Sequence, residues 1–170
     1  PMGFKHTGLF PEQAVNWNDM TTAIKNAGRE IRVLNLFAYT GGASVVCAKA
    51  GAKVTHVDAS KGMVERAREN ARLNNITTIR YIVDDCQKFI EREIRRGNFY
   101  DGIIMDPPSY GRGTNGEMWK LEDNLYDFVA LTKKVLSDKP LFVLISSYTT
   151  GLQASVLKNI LTLIFGEGNI

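Results

Sequence analysis

Cysteine and histidine are scarce in this chain, with two of each among 170 residues. Cys47, Cys86, His6 and His56 have no further ligating residue at metal-binding spacing, so neither a zinc-type site nor a disulfide framework is expected. Such cysteine usage suits a reducing, cytoplasmic compartment. No apolar run approaches the roughly 18 residues that a membrane span needs, and the first residues carry no signal-peptide pattern. Repeats, low-complexity segments and linkers are absent too. Neither sign of charge dominates: 21 Lys and Arg against 18 Asp and Glu leave a net charge of +3. That balance permits an RNA partner without requiring one. Two glycine signatures are also missing. There is no G-x-G-x-x-G turn for a dinucleotide and no G-x-x-x-x-G-K-[ST] loop for a nucleoside triphosphate. Their absence argues against a nicotinamide-dependent oxidoreductase and against a P-loop enzyme.

What is present is an alternation of helical and strand patterns long enough for one domain with a real core. Residues 11–27 read as a first helix. Strands are expected at 33–37, 54–57, 79–83, 102–105 and 141–145, with helices at 42–50, 61–73, 85–97, 125–136 and 155–165. Short apolar strands separated by amphipathic helices predict a parallel sheet covered on both faces. Trp17, Phe89, Phe128 and Phe142 are candidate core residues. The arginine sets 66, 68, 72 and 92, 95, 96 read as solvated helix faces. The longest expected loop, residues 109–120, follows the fourth strand directly.

In an open parallel sheet a ligand binds beyond the carboxyl ends of the strands, near the point where strand order reverses. The unusual residues collect there. Tyr39, Thr40, Gly41 and Gly42 follow the first strand, Asp58 the second, Asp84 and Asp85 the third, and Asp106-Pro107-Pro108 the fourth. The two glycines allow a close backbone approach. Asp58 is placed to accept from both hydroxyls of a ribose, since a carboxylate offers only acceptors. Asp85 can accept from an exocyclic amino group, with the Cys86 backbone N–H meeting a ring nitrogen. With the phosphate signatures missing, the turn suits a nucleoside cofactor that carries an amino acid, namely S-adenosyl-L-methionine.

The stretches "VLNLFAYTGGAS", "THVDAS", "RYIVDDCQKFI" and "DGIIMDPPSYGRG" resemble the successive motifs of class I S-adenosylmethionine-dependent methyltransferases. More narrowly, they resemble the bacterial large-subunit ribosomal RNA methyltransferase family and its uncharacterised relatives, as does the leading "HTGLFPEQAVNW". The resemblance runs from Lys5 to about Leu152. It implies a Rossmann-like, mostly parallel sheet with helices on both faces. It also implies a cofactor site of Phe37, Tyr39, Thr40, Gly41, Asp58, Ala59, Ser60, Asp85, Cys86 and Asp106. Catalysis falls to Asp106, Pro107, Pro108 and Tyr110, and acceptor phosphates to Arg112 and Lys120, with ribosomal RNA as the partner and no membrane or metal.

Departures from the family pattern refine these expectations. Members that methylate cytosine C5 place a nucleophilic cysteine after the fifth strand, where this chain reads Ser146-Ser147-Tyr148-Thr149-Thr150. Direct attack by a nitrogen is therefore expected, with Asp106 and the Pro107 carbonyl accepting from the substrate N–H. Ser109 separates the prolines from Tyr110, where amino-group methyltransferases have the aromatic next to the prolines. The final strand hairpin and the upstream substrate-binding domain of the family are not found, so residues 1–170 read as the methyltransferase core of a longer protein. The fifth strand would then be a sheet edge, a route to homo-oligomers. A protein or small-molecule acceptor, and a catalytically silent RNA-binding module, are the alternatives.

Overall fold

A computed structural model describes residues 14–112, 118–147 and 154–166. Helix α1 (Ala14–Asn26) leads into strand β1 (Arg32–Leu36), followed by α2 (Gly42–Lys49), β2 (Lys53–Asp58), α3 (Lys61–Leu73) and β3 (Arg80–Val83). Then come α4 (Cys86–Arg96), β4 (Gly102–Met105), two short strands β5 (Tyr110–Arg112) and β6 (Met118–Lys120), α5 (Leu121–Lys133), β7 (Phe142–Ile145) and α6 (Ala154–Phe165). Five strands form one sheet in the order β3-β2-β1-β4-β7, every pair parallel. This is the expected α/β fold.

Local chemistry sets the element ends. Ser60 caps α3 by accepting from Met63 N, and Asp85 caps α4 by accepting from Lys88 N at 3.0 Å. Gly97 closes α4 with φ 65°, a left-handed position that glycine takes at little cost. Strand β1 stops at Leu36 instead of the expected Phe37, because Phe37 turns to φ 52°. Helix α5 starts at Leu121, a turn earlier than expected: Leu121 is buried and its N–H donates to Ser109 O at 3.1 Å.

One core lies between the sheet and α4, α5 and α6, and includes Leu34, Leu36, Phe89, Met105 and Phe128. The other, against α1, α2 and α3, includes Met20, Val33, Val45, Cys47 and Ile104. Register is what matters for the site. Leu36 stands level with Val57 on one side and with Met105 on the other. Phe37, Asp58 and Asp106 therefore emerge in one row, at the reversal between β1 and β4. Among the described residues β7 pairs only with β4 and forms a sheet edge, and no helix is long and apolar enough to cross a membrane.

One expectation fails here. The segment expected to be a loop, 109–120, holds an antiparallel hairpin in which Tyr110 pairs with Lys120, Gly111 with Trp119 and Arg112 with Met118. Strands of three residues are too short to show a period in sequence.

Candidate functional site

The turn after β1 is built from backbone strain and a carboxylate. Phe37 and Tyr39 both have positive φ, 52° and 50°, and Gly41 has φ 81°. Asp58 holds this shape with both oxygens: Oδ2 accepts Tyr39 N–H at 3.0 Å and Oδ1 accepts Ser60 N–H at 2.8 Å. A carboxylate has about four acceptor positions, so both oxygens keep capacity for further donors. Gly41 is required on two counts. Its φ is left-handed, and a Cβ there would lie 3.0 Å from Ala67 Cβ and 3.4 Å from His56 Cε1. Behind the turn, Asn35 donates to Ser44 Oγ at 2.9 Å, and Ser44 Oγ lies 3.0 Å from His56 Nδ1. His56 is fully buried, and burial lowers its pKa to about 4, so it stays neutral. Its role is packing beneath the turn.

Above the strand ends opens a cavity of about 710 Å³. Its polar lining comes from Asp58, Ser60 and Asp85 with Lys88 and Glu91 from α4. The lining also holds an aromatic cluster: Phe37, Trp119 and Phe128, with centroids 5.2 to 5.7 Å apart. This suits a ligand with a polar sugar-like part and a planar apolar part. A second cavity of about 70 Å³ is lined by Trp17, Thr40, Gly41, Gly42 and Ser146 among others. Phe37, Tyr39 and Asp106 line both cavities. Burial alone raises the Asp106 pKa to about 6.

Cys86 is a wall residue of the larger cavity. Its buried Sγ accepts Phe37 N–H at 3.3 Å, and burial pushes its thiol far above the ordinary cysteine range. Burial likewise raises Cys47 to about 12. Neither supplies a thiolate near neutral pH.

The expected residues are gathered unevenly. Phe37, Tyr39, Asp58, Ala59, Ser60, Asp85, Cys86, Asp106 and Pro108 share the larger cavity, while Thr40 and Gly41 face the smaller one. Pro107 is buried and lines neither. Tyr110 is 59% exposed and also lines neither. Lys120 is exposed, and its N–H donates to Asn124 Oδ1 at 3.0 Å. Arg112 takes its place in the hairpin opposite Met118. The arginines at 66, 68, 72, 95 and 96 are exposed as expected, whereas Arg92 is half-buried and paired with Asp84. His6, most of the leading segment and Tyr148-Thr149-Thr150 lie outside the described residues. Among the described residues no three His, Cys, Asp or Glu side chains group as a metal site would. Sequence reasoning missed Trp119, Met118 and Asn124 as cavity residues; a lone tryptophan in a polar stretch was the available signal.

Comparison with known proteins follows the same lines. Residues 4–127 match the family described as S-adenosylmethionine-dependent methyltransferase. The "Ribosomal RNA large subunit methyltransferase K/L" of Pseudoalteromonas translucida is 36% identical over 135 residues, which make up 77% of this chain and 18% of that protein. The structure of a SAM-dependent methyltransferase from Agrobacterium tumefaciens superposes with a TM-score of 0.90 at 44% identity, over 94% of this chain and 52% of that one. SMU.776, a protein assigned as a methyltransferase and solved complexed with SAH, gives 0.79 at 26% identity, over 96% and 42%. The chain thus spans about a fifth to a half of the length of these relatives.

Proposed function

Because the chain belongs to the S-adenosylmethionine-dependent methyltransferase family, for which S-adenosyl-L-methionine is the cofactor, we propose that it methylates a nitrogen of an RNA base in the cytoplasm, ribosomal RNA being the acceptor. The observation that carries the reading is Asp106, a desolvated carboxylate at the boundary of two cavities with no ion-pair partner among the described residues. The names of the relatives support ribosomal RNA, and the two buried, protonated thiols support attack by nitrogen over covalent C5 chemistry.

The residues fit the cofactor. Asp58 and Asp85 are acceptors for a ribose diol and an exocyclic amine, and the aromatic cluster suits the base. The smaller cavity, lined by Thr40, Gly41 and Gly42 of the turn, suits the amino-acid end. When bound, the cofactor supplies an electrophilic methyl on a sulfonium. The chain's contribution is alignment, which can supply about 7–11 kcal/mol of a barrier. Asp106 accepts a hydrogen bond from the acceptor N–H and so directs the nitrogen lone pair, and the Pro107 carbonyl is the second acceptor. The carbonyls of Pro108 and Ser109 are already engaged by Trp119 and Leu121. Arg112 and Lys120, in the hairpin beside the cavity, contact acceptor phosphates. Tyr110 serves the acceptor from outside the cavity, on the exposed hairpin face.

The test is transfer of labelled methyl by the full-length protein to RNA extracted from cells lacking its gene. Label in a nitrogen-methylated nucleoside is the expected result. Label found in protein or a small molecule, or in C5 of a pyrimidine, would refute the proposal.

A further inference from the structure

The Pro108 carbonyl is held by a residue outside every motif. Trp119 lies on β6 opposite Gly111, and its Nε1–H donates to Pro108 O at 2.7 Å. Next to it, Ser109 O accepts Leu121 N–H at 3.1 Å, so the hairpin is tied back onto the turn after β4 by two bonds. The same indole packs against Phe37 and Phe128, with centroids 5.7 and 5.5 Å away, and all three rings wall the larger cavity. We propose that Trp119 is a positioning residue that couples occupancy of the larger cavity to the geometry of the Asp106-Pro107-Pro108 turn. The inference rests on reading that turn as the acceptor side of the site.

The physical argument starts from the prolines. Their rings fix φ at positions 107 and 108, so the remaining freedom of the turn lies in its ψ angles. A bond to the Pro108 carbonyl removes one of these. The indole making that bond is also a surface on which a planar ligand in the cavity rests. A bound ligand therefore limits the motion of the ring, and the ring limits the motion of the carbonyl. A wall alone would need no N–H, because phenylalanine covers similar area. The bond also sits at an exposed edge, where a neutral pair adds little to stability. What the N–H does add is position, and a misplacement of order 1 Å costs about 100-fold in rate.

The test uses the full-length protein with Trp119→Phe and Trp119→Ala. Calorimetry with S-adenosylhomocysteine reads cofactor affinity. Single-turnover transfer of labelled methyl at saturating cofactor, to RNA from cells lacking the gene, reads the turn. Trp119→Phe should keep affinity within about 2-fold while transfer falls about 10-fold or more. Trp119→Ala should lose about 10-fold in affinity as well, because a wall of the cavity is gone. Wild-type transfer rate in Trp119→Phe, or an affinity loss in Trp119→Phe equal to that in Trp119→Ala, overturns the proposal. A third measurement needs neither variant nor acceptor: hydrogen exchange of the Trp119 indole N–H, followed by NMR in the wild-type protein. Exchange should slow severalfold when S-adenosylhomocysteine binds; no change overturns the coupling. Failure of the wild-type protein to methylate RNA would count against the acceptor reading alone, and the exchange measurement would then decide this one.

Discussion

Asp106→Asn should stabilise the fold while removing the activity. The substitution keeps the shape of the side chain and deletes its charge. Burial moves the Asp106 pKa from an ordinary 3.8 to about 6. Because the folded value is the higher one, the folded state prefers the protonated acid. The favourable term is fully present below the unfolded pKa and is lost as pH rises through about 6. That rise corresponds to about 3 kcal/mol of destabilisation above pH 7, and to about 1 kcal/mol near pH 4.5. The neutral amide avoids both penalties, so its advantage over wild type should grow by about 2 kcal/mol between pH 4.5 and pH 8. For a domain of this size that is a gain in Tm of about 2–4 °C at the lower pH and about 6–12 °C at the higher. Urea and thermal denaturation followed by circular dichroism at the two pH values measure it. A variant no more stable than wild type at pH 8, or an advantage independent of pH, would refute the desolvated carboxylate. In the full-length protein the same change should lower methyl transfer by about 100-fold, with S-adenosylhomocysteine affinity within about 3-fold of wild type.

Asp58→Ala should weaken S-adenosylhomocysteine binding by about 10- to 100-fold in calorimetry, the worth of one charge-assisted hydrogen bond. It should also cost about 1–2 kcal/mol in urea denaturation, because the Tyr39 and Ser60 amides lose their acceptor. Gly41→Ala should destabilise the fold by about 1–3 kcal/mol, since φ 81° is left-handed and the new Cβ would sit 3.0 Å from Ala67 Cβ. In the full-length protein, the double variant Cys47→Ala, Cys86→Ala should keep most transfer activity, with a modest loss of cofactor affinity from the lost contact of Cys86 Sγ with Phe37 N–H. RNA carrying 5-fluorocytosine should give no denaturant-stable adduct on a gel, whereas trapping through either cysteine would overturn nitrogen attack.

The sheet was legible in sequence because its strands are short apolar runs with punctuation. Gly102–Met105 and Lys61–Leu73 fall on the expected bounds. The acids were legible for a related reason: parallel strands of equal register deliver the residues after them to one row. The hairpin was not legible. Residues 110–112 and 118–120 pair across five intervening residues, and three residues show no alternation. Tyr110, separated from the prolines by Ser109, is exposed and lines neither cavity, whereas Gly111, Met118 and Trp119 of the same hairpin line the larger one. The second role of Asp58, holding Tyr39 and Ser60, was also hidden, because a hydrogen bond between side chain and backbone depends on turn geometry that residue types alone do not specify.

Three buried or half-buried acids show why Asp106 stands apart. Asp101 accepts from Arg29, Ser137 and the Arg32 amide, and these partners hold its pKa below the usual range although burial opposes them. Glu93, with no exposed surface, accepts from Tyr100, Arg96 and Asn98, and its pKa is lowered too. Both lie away from the cavities, and both are satisfied where they sit. A structural carboxylate in this fold therefore comes with donors. Asp106 has burial as the cause of its shift, no cation among the causes, and a pKa moved the other way. An acid kept desolvated at the junction of two cavities weakens the fold, and a donor arriving from outside the chain is what would complete it. An acceptor N–H is such a donor. Binding of the acceptor should accordingly pull the Asp106 pKa back toward the ordinary range, and the pH dependence of acceptor binding by the full-length protein should show affinity rising as pH increases through about 6. Affinity that is flat across that range would assign the acceptor contact to another group.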